Sequence, residues 1–409
     1  MLSRALVLFS ALGPCGLATA QSRSAQPPIK VTPPQPYPPL GPSAVSSAGC
    51  VVSQVGQIEL RPIAGQPPNV FHCTLSVKVN GGTTWDLVTG TFDCDAPSFT
   101  KNNDVAHLNT TVADEFAGSV SRDLLVFVYD AGGSTMFCTR ASTGVAFGAP
   151  QVVTGVPGGS IDPKLGYDGA QEKLAYRDPV TGDIVWADFN RVTGATTGAF
   201  VLVQATSVVE GFHSPEPMRD PTGTARAFLL GKLDPANLSD AWYASGKFNL
   251  PPVVAHPLHE TGPSPATYLR NGTALGGTAF VPEGPAYGDP LRIDFEATNC
   301  DVADDGSTVV LCNFFPYKPV APFDVAVALG ALARQPLPIP GVRGLLGLDP
   351  LQPIVFLPFL PAPPYTGVVC WNLPVPIGTP AAQLASQAIL FNRNQATVYL
   401  GNNSSVWIR

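Results

Sequence analysis

The strongest constraint on this chain is a recurring unit of short apolar strands separated by Gly- and Asp-containing turns. Residues 161–189 read IDPKLGYDGAQEKLAYRDPVTGDIVWADF. That is a strand, an Asp-Gly turn, a strand, a Thr-Gly-Asp turn and a closing strand. Versions of this unit start at Ser119, Ile161, Pro215, Pro263 and Cys300, spaced 42, 54, 48 and 37 residues apart. Their apolar strands fall at 124–129, 173–176, 225–230, 275–280 and 308–314. Periods of about 40–50 residues with about four strands each point to the blades of a β-propeller. One such unit cannot bury both its faces, so the units must stack on one another. A long β-sandwich made of meanders is the alternative.

Composition agrees with many short strands joined by turns. The 409 residues include 40 glycines and 44 prolines, with 45% hydrophobic and only 13% charged residues. Disorder needs the opposite balance. The net charge of −7 comes with no basic stripe to neutralise phosphates, so nucleic acid is excluded as an expected partner. No run reaches the roughly 18 apolar residues of a membrane helix, so no transmembrane segment is expected.

The two ends differ from the middle. Residues 1–20 read as a signal peptide: Arg4, an apolar run over 5–12, and Ala18-Thr19-Ala20 before Gln21. The expected location is therefore secreted, extracellular or periplasmic. Residues 21–47 carry eight prolines, among them Pro33, Pro34, Pro38 and Pro39. They read as a Pro-rich linker, extended and without a packed element. The β-propeller is expected over 48–317. Beyond it, prolines such as Pro336, Pro338, Pro353 and Pro358 punctuate six short apolar runs. Residues 318–409 read as a small C-terminal β-sandwich. The expected fold is all-β: a five- or six-bladed β-propeller followed by that sandwich.

Export makes disulfides expected. Removing the signal leaves Cys50, Cys73, Cys94, Cys138, Cys300, Cys312 and Cys370, an odd set that leaves at least one unpaired within the chain. Cys300 and Cys312 flank Asp304-Asp305-Gly306-Ser307 symmetrically. A three-residue hairpin loop over 305–307 would set them opposite one another, which predicts a Cys300–Cys312 disulfide. The competing pairing is Cys312 with Cys370.

Cofactor motifs are absent: there is no phosphate loop, GxSxG elbow, HExxH or EF-hand pattern. His256-Pro257-Leu258-His259-Glu260 reads as a turn with surface histidines, since Pro257 opposes a helix that would converge the imidazoles. Neither a cofactor nor a metal is expected.

Two motifs carry resemblances. Asn80-Gly81-Gly82-Thr83-Thr84-Trp85 resembles the Asp-box of sialidase-like propellers, with Lys78 where that box has serine; the box marks fold rather than catalysis. Ile161-Asp162-Pro163, followed by Tyr167-Asp168-Gly169, is similar to the second-blade pattern of five-bladed arabinanase/xylosidase-type glycosidases. That resemblance implies three carboxylates on successive inner strands: Asp114 as base, Asp162 as the orienting carboxylate and Glu216 as acid. Asp114 is followed by Glu115, where the family has proline. The texture of most of the mature chain, a propeller-like body with a Pro/Gly-rich C-terminal β module, resembles sets of secreted proteins of planctomycete-type bacteria, which implies location more than activity.

The leading functional expectation is a secreted, non-enzymatic propeller that binds an extracellular glycan or protein, or serves a surface structure. The alternative is a glycoside hydrolase using Asp114, Asp162 and Glu216. The N-terminal pattern makes a direct prediction. Sequencing of exported material should begin at or near Gln21; finding Met1 there would refute cleavage.

Overall fold

Strands buried on both faces dominate the chain. A computed structural model describes residues 23–24, 29–30, 34–49, 51–208, 210–232, 240–245, 254–259, 273–275, 277–282, 289–302, 307–316, 323–361, 367–380 and 382–408. Four antiparallel sheets follow one another, each a meander in sequence order. The first comprises Val52–Pro62, Val70–Val79, Trp85–Asp93 and Ser98–Lys101. The second comprises Glu115–Val120, Val126–Ala131, Ser134–Thr139 and Gln151–Val152. The third comprises Ile161–Asp168, Gln171–Arg177, Ile184–Asn190 and Ala195–Val203, and the fourth Phe212–Arg219, Ala225–Lys232, Asp240–Ser245 and Val254–His259. A fifth sheet starts with Thr273–Leu275, Thr278–Val281, Leu291–Val302 and Thr308–Phe314. The all-β expectation holds.

Turn chemistry sets these meanders. In the third sheet Asp178 Oδ1 accepts from the N–H groups of Val180 and Thr181 at 2.8 and 3.0 Å, and Gly182 closes the turn at φ 79°. The stretch with Asp-box character forms the hairpin between 70–79 and 85–93, with Gly81 at φ 81°.

Stacking follows from the burial. The first strand of each sheet packs on the first strand of the next, from 52–62 through 115–120, 161–168 and 212–219 to 273–275. The last then packs back on 52–62, where Leu60 N–H donates to Thr273 Oγ1 at 3.2 Å. Between the sheets lie separate apolar layers, such as Val128, Leu165, Leu174 and Val185 between the second and third.

The Pro-rich segment is not a free linker. Arg23–Ser24 pairs with Ser405 and Ser404, Ile29–Lys30 with Glu296 and Phe295, and Gln35–Pro36 with Arg292 and Leu291. Leu291 and Arg292 also pair with Val281 and Phe280, so this segment lines the opposite edge of the same strand. An edge position tolerates proline, which has no N–H to leave unpaired. Pro38–Leu40 and Pro42–Ser47 then form a 3-10 turn and a short helix, each with proline in its first turn, where the missing donor costs nothing. Leu40 and Val45 are fully buried against the first sheet. The ring of Tyr37 packs 4.8 Å from Phe280 and 6.4 Å from Phe92.

The C-terminal part is equally entangled. Phe323–Gly330, Ala382–Asn392 and Thr397–Ile408 form a sheet that packs through Val327, Leu329, Leu384 and Val406 onto Val309 and Leu311 of the fifth sheet. Val368–Pro374 returns to pair with Thr308–Phe314, so the chain crosses back over the boundary expected at 317/318. The disulfide expectation is corrected here. Cys312 is bonded to Cys370, its direct cross-strand partner, with the Cα atoms 4.2 Å apart. Cys300 pairs instead with Leu311, and Asn299 faces Cys312. The hairpin register is one residue away from the expected one, and a one-residue slip turns a side chain to the other face of a sheet. Cys73 and Cys138 are buried free thiols and Cys94 is buried as well, while the side chains of Cys50 and Cys300 lie outside the described residues. Burial pushes the Cys138 thiol up to about 12, so it carries little thiolate.

One carboxylate sits in the seam between the fifth and C-terminal sheets. Glu296 is fully buried and accepts from Thr298 Oγ1 and Asn402 N–H, both at 3.1 Å, and from Asn313 Nδ2. A side chain at Gly401 would collide with it. Burial raises its pKa to about 7 against these donors. The folded value lies above the unfolded one, so its contribution is fully present below about 4.5 and lost as pH rises through about 7. The expected size of that loss is about 3 kcal/mol, at ~1.4 kcal/mol per pKa unit. Urea denaturation of wild type and Glu296→Gln from pH 5 to 8 checks it: their stability difference should shift steadily in favour of the variant as pH rises.

Candidate ligand site at the mouth of the ring

The first strands of the second, third and fourth sheets share a local irregularity. Their pairing shifts between Phe116 and Ser119, between Ile161 and Lys164, and between His213 and Glu216. At each shift one residue takes positive φ: Ala117 at 56°, Asp162 at 59° and Ser214 at 53°. These are β-bulges, which re-aim the side chains on either side. The three tetrads Phe116-Ala117-Gly118-Ser119, Ile161-Asp162-Pro163-Lys164 and His213-Ser214-Pro215-Glu216 are thus structurally equivalent. The bulge frees the Ala117 N–H, which donates to Ser76 Oγ at 3.2 Å.

The residue following each bulge enters a buried polar plug. Arg61 Nε lies 2.6 Å from Glu59, and its Nη1 lies 3.0 Å from Glu216. Lys164 Nζ is 3.0 Å from Glu59 and 3.6 Å from Glu216, and Arg219 Nη1 is 3.2 Å from Glu216. Ser119 Oγ donates to Glu59 at 3.1 Å and accepts from Leu165 N–H at 3.0 Å. Burial alone would raise the Glu59 carboxyl, but Arg61, Lys164 and Arg219 hold it down at about 2.

The residue before each bulge, together with the bulge residue Asp162, faces a cavity of about 430 Å³. Phe116, Ile161, Asp162 and His213 line it, as do Asp130 and Arg177, which pair across from Phe116 and Ile161. Asp114 and Trp85 complete one wall, with the Asp114 carboxylate accepting from Trp85 N–H at 2.9 Å. Trp85 meets Phe116 edge to face at 5.3 Å and packs so closely on Gly56 that a Cβ there would lie 2.6 Å from the indole. Asp130 Oδ1 accepts from Gly133 N–H at 2.9 Å, and Arg177 donates to the Val208 carbonyl at 3.0 Å.

The three carboxylates singled out in the sequence therefore separate. Asp114 and Asp162 share the cavity; Glu216 does not line it and has no exposed surface. Its place beyond the bulge, among Arg61, Lys164 and Arg219, corrects the expectation that it stands with the other two as an accessible acid. Trp85 was legible only as a turn marker. Phe116, Asp130, Arg177 and His213 were missed; the repeated Ala-Gly, Asp-Pro and Ser-Pro pairs at the strand starts were the one available signal for the bulges. Among the described residues no group of three or more His, Cys, Asp or Glu could hold a metal, and the side chains of His256 and His259 lie outside those residues. No described helix is long and apolar enough to cross a membrane.

No protein-family model matches the chain, and neither does any curated protein. Among solved structures it is similar to a bifunctional GH43-CE protein of Bacteroides eggerthii, at 8% identity and TM-score 0.38, over 87% of this chain and 60% of that one. It is also similar to a GH43 glycoside hydrolase engineered for endo-xylanase and exo-arabinofuranosidase activity, at 10% identity and TM-score 0.40, over 91% and 96% of the two chains. A third is the WD40 domain of SCAP from fission yeast, at 8% identity and TM-score 0.26, over 86% and 96%. Scores this low leave the chemistry to this chain's own residues.

The plug makes a stability prediction. Glu216→Gln leaves Arg61 and Lys164 short of a buried counter-charge, so unfolding free energy should fall by about 3–5 kcal/mol in urea titration. A cost below about 1 kcal/mol would mean that the network contributes little.

Proposed function

We propose that this chain is an exported five-bladed β-propeller whose C-terminal sheet completes a β-sandwich on the fifth blade, and that it binds a glycan at its axial mouth. The observation that carries the reading is the cavity itself. An edge-to-face Trp85–Phe116 pair stands beside the carboxylates of Asp114 and Asp162 in a space of about 430 Å³. Sugar rings present apolar C–H faces to aromatic walls and hydroxyl donors to carboxylates, and a concave site with a few convergent polar groups suits such a ligand. A protein ligand would need about 800 Å² of each partner's surface, which a cavity of this size does not offer by itself.

A hydrolase is the second reading, supported by Asp114 and Asp162 sharing one cavity. Glycoside hydrolysis needs an acid beside the scissile oxygen. Glu216 is sealed from the cavity by its burial, so the proton donor would have to be Asp130 or His213.

One experiment separates these readings. Xylotriose, arabinotriose and cellotriose are titrated into the protein by calorimetry and incubated with it for product analysis. Binding that falls at least tenfold in Trp85→Ala, without sugar release, supports the glycan-binding propeller. Release of monosaccharide that is lost in Asp162→Asn supports the hydrolase. No binding of any of the three at millimolar concentration overturns the saccharide reading.

A further inference from the structure

The seam between the first and fifth sheets is built unlike the others. The ion plug ties the first sheet to the second, third and fourth through Glu59, Arg61, Ser119, Lys164 and Glu216. Among the described residues the fifth sheet contributes no charge to that plug. Its first strand, Thr273–Leu275, has three residues, against 11 in the strand it meets, Val52–Pro62. Where the two sheets touch directly, Leu60 N–H donates to Thr273 Oγ1, and Leu275 and Phe280 join the core of the first sheet.

The N-terminal segment crosses this same seam. Gln35–Pro36 pairs with Arg292 and Leu291 of the fifth sheet, and Tyr37 N–H donates to the Pro290 carbonyl at 2.7 Å. The Tyr37 ring then meets Phe280 of the fifth sheet and Phe92 of the first. Leu40 and Val45 are buried in the core that contains Leu275 and Phe280 as well as Val55 and Leu60. Between them Gly41 passes so close to Asp289 that a Cβ would collide with its carboxylate. Ser46 Oγ completes the crossing: it accepts from Val52 N–H at 2.9 Å and donates to the Val52 carbonyl at 3.2 Å.

Two properties make this segment a separable part. All the strand partners of Arg23–Ser24, Ile29–Lys30 and Gln35–Pro36 lie in the last third of the chain, so it docks only after those strands exist. Its exit is open: Gly49 is exposed at φ 94°, a Cβ there would meet nothing, and Val51 is 64% exposed. The segment can therefore leave without breaking a strand of the first four sheets. An aromatic ring and two aliphatic side chains shared by both sheets stabilise the joint by more than one backbone hydrogen bond does. We infer that residues 23–47 are a clasp that closes the ring. Docked, it holds the first and fifth sheets together. Undocked, the ring opens at this one seam, while the plug keeps the first four sheets assembled. This assignment is independent of what the mouth binds.

The test uses the full chain with a protease recognition sequence inserted after Gly49, read by hydrogen exchange and mass spectrometry. After cutting of the folded protein, the clasp peptide is stripped by gel filtration in mild urea and the urea removed. Exchange in Val52–Pro62, Thr278–Val281 and Leu291–Val302 should then rise by about a hundredfold, as expected for a lost aromatic anchor. Val126–Ala131 and Gln171–Arg177 should keep their protection. A synthetic peptide of residues 21–49 should restore the seam when added back. In the uncut chain Tyr37→Ala should raise exchange at the same strands, and Tyr37→Phe, which keeps the ring, should not. Unchanged exchange at the seam after stripping overturns the proposal. An equal rise over all the sheets also overturns it, because the segment would then be part of a single undivided core.

Discussion

The buried ion cluster at the centre of the ring is what the remaining geometry turns on. Glu59 and Arg61 come from the first sheet, Lys164 from the third, and Glu216 and Arg219 from the fourth. Three cations and two carboxylates converge where the inner strands meet. Charges removed from water are tolerated only when paired and hydrogen-bonded on several sides, so none of these three sheets can move without stranding a charge of another. Arg61 meets Glu216 across 155 residues and Lys164 meets Glu59 across 105, which makes the cluster a long-range fastener.

The bulges divide these strands between the ion cluster and the cavity. A regular strand would send alternate side chains to alternate faces along its whole length. An inserted residue at 117, 162 and 214 breaks the alternation at one level in three neighbouring strands. Ser119, Lys164 and Glu216 are delivered to the plug, while Phe116, Asp162 and His213 are delivered to the mouth. The ion cluster and the cavity lining are thus assigned to neighbouring residues of the same strands. Asp114 and Asp162 were within reach of sequence reasoning because Asp-Pro and Ala-Asp mark strand starts. The separation of Glu216 from them was not, because it depends on which side of a bulge each carboxylate falls.

The ends of the chain act on the fifth sheet. Ile29–Lys30 and Gln35–Pro36 line one edge of Leu291–Val302, and Val368–Pro374 joins Thr308–Phe314 through backbone pairing and the Cys312–Cys370 bond. Prolines that argued for an extended spacer are compatible with this, because an edge strand does not need every N–H. Extended conformation was legible in the composition; the partner of that extended segment was not.

What the sequence by itself determined is local. Period-two apolar runs and Asp-Gly or Thr-Gly-Asp turns specify strands and hairpins at 161–189 and in the flanking units, because side-chain alternation and positive φ are properties of a few adjacent residues. Tertiary structure decided register, closure and the mouth. Cys312 chose Cys370 over Cys300 because the hairpin slipped by one residue, and only neighbouring strands fix such a slip. Asp130 and Arg177 became wall residues through the strands they pair with, and Glu216 became part of a sealed plug through cations from two other sheets and its own. The disulfide spans 58 residues and the plug contacts 105 and 155, separations that no local period encodes.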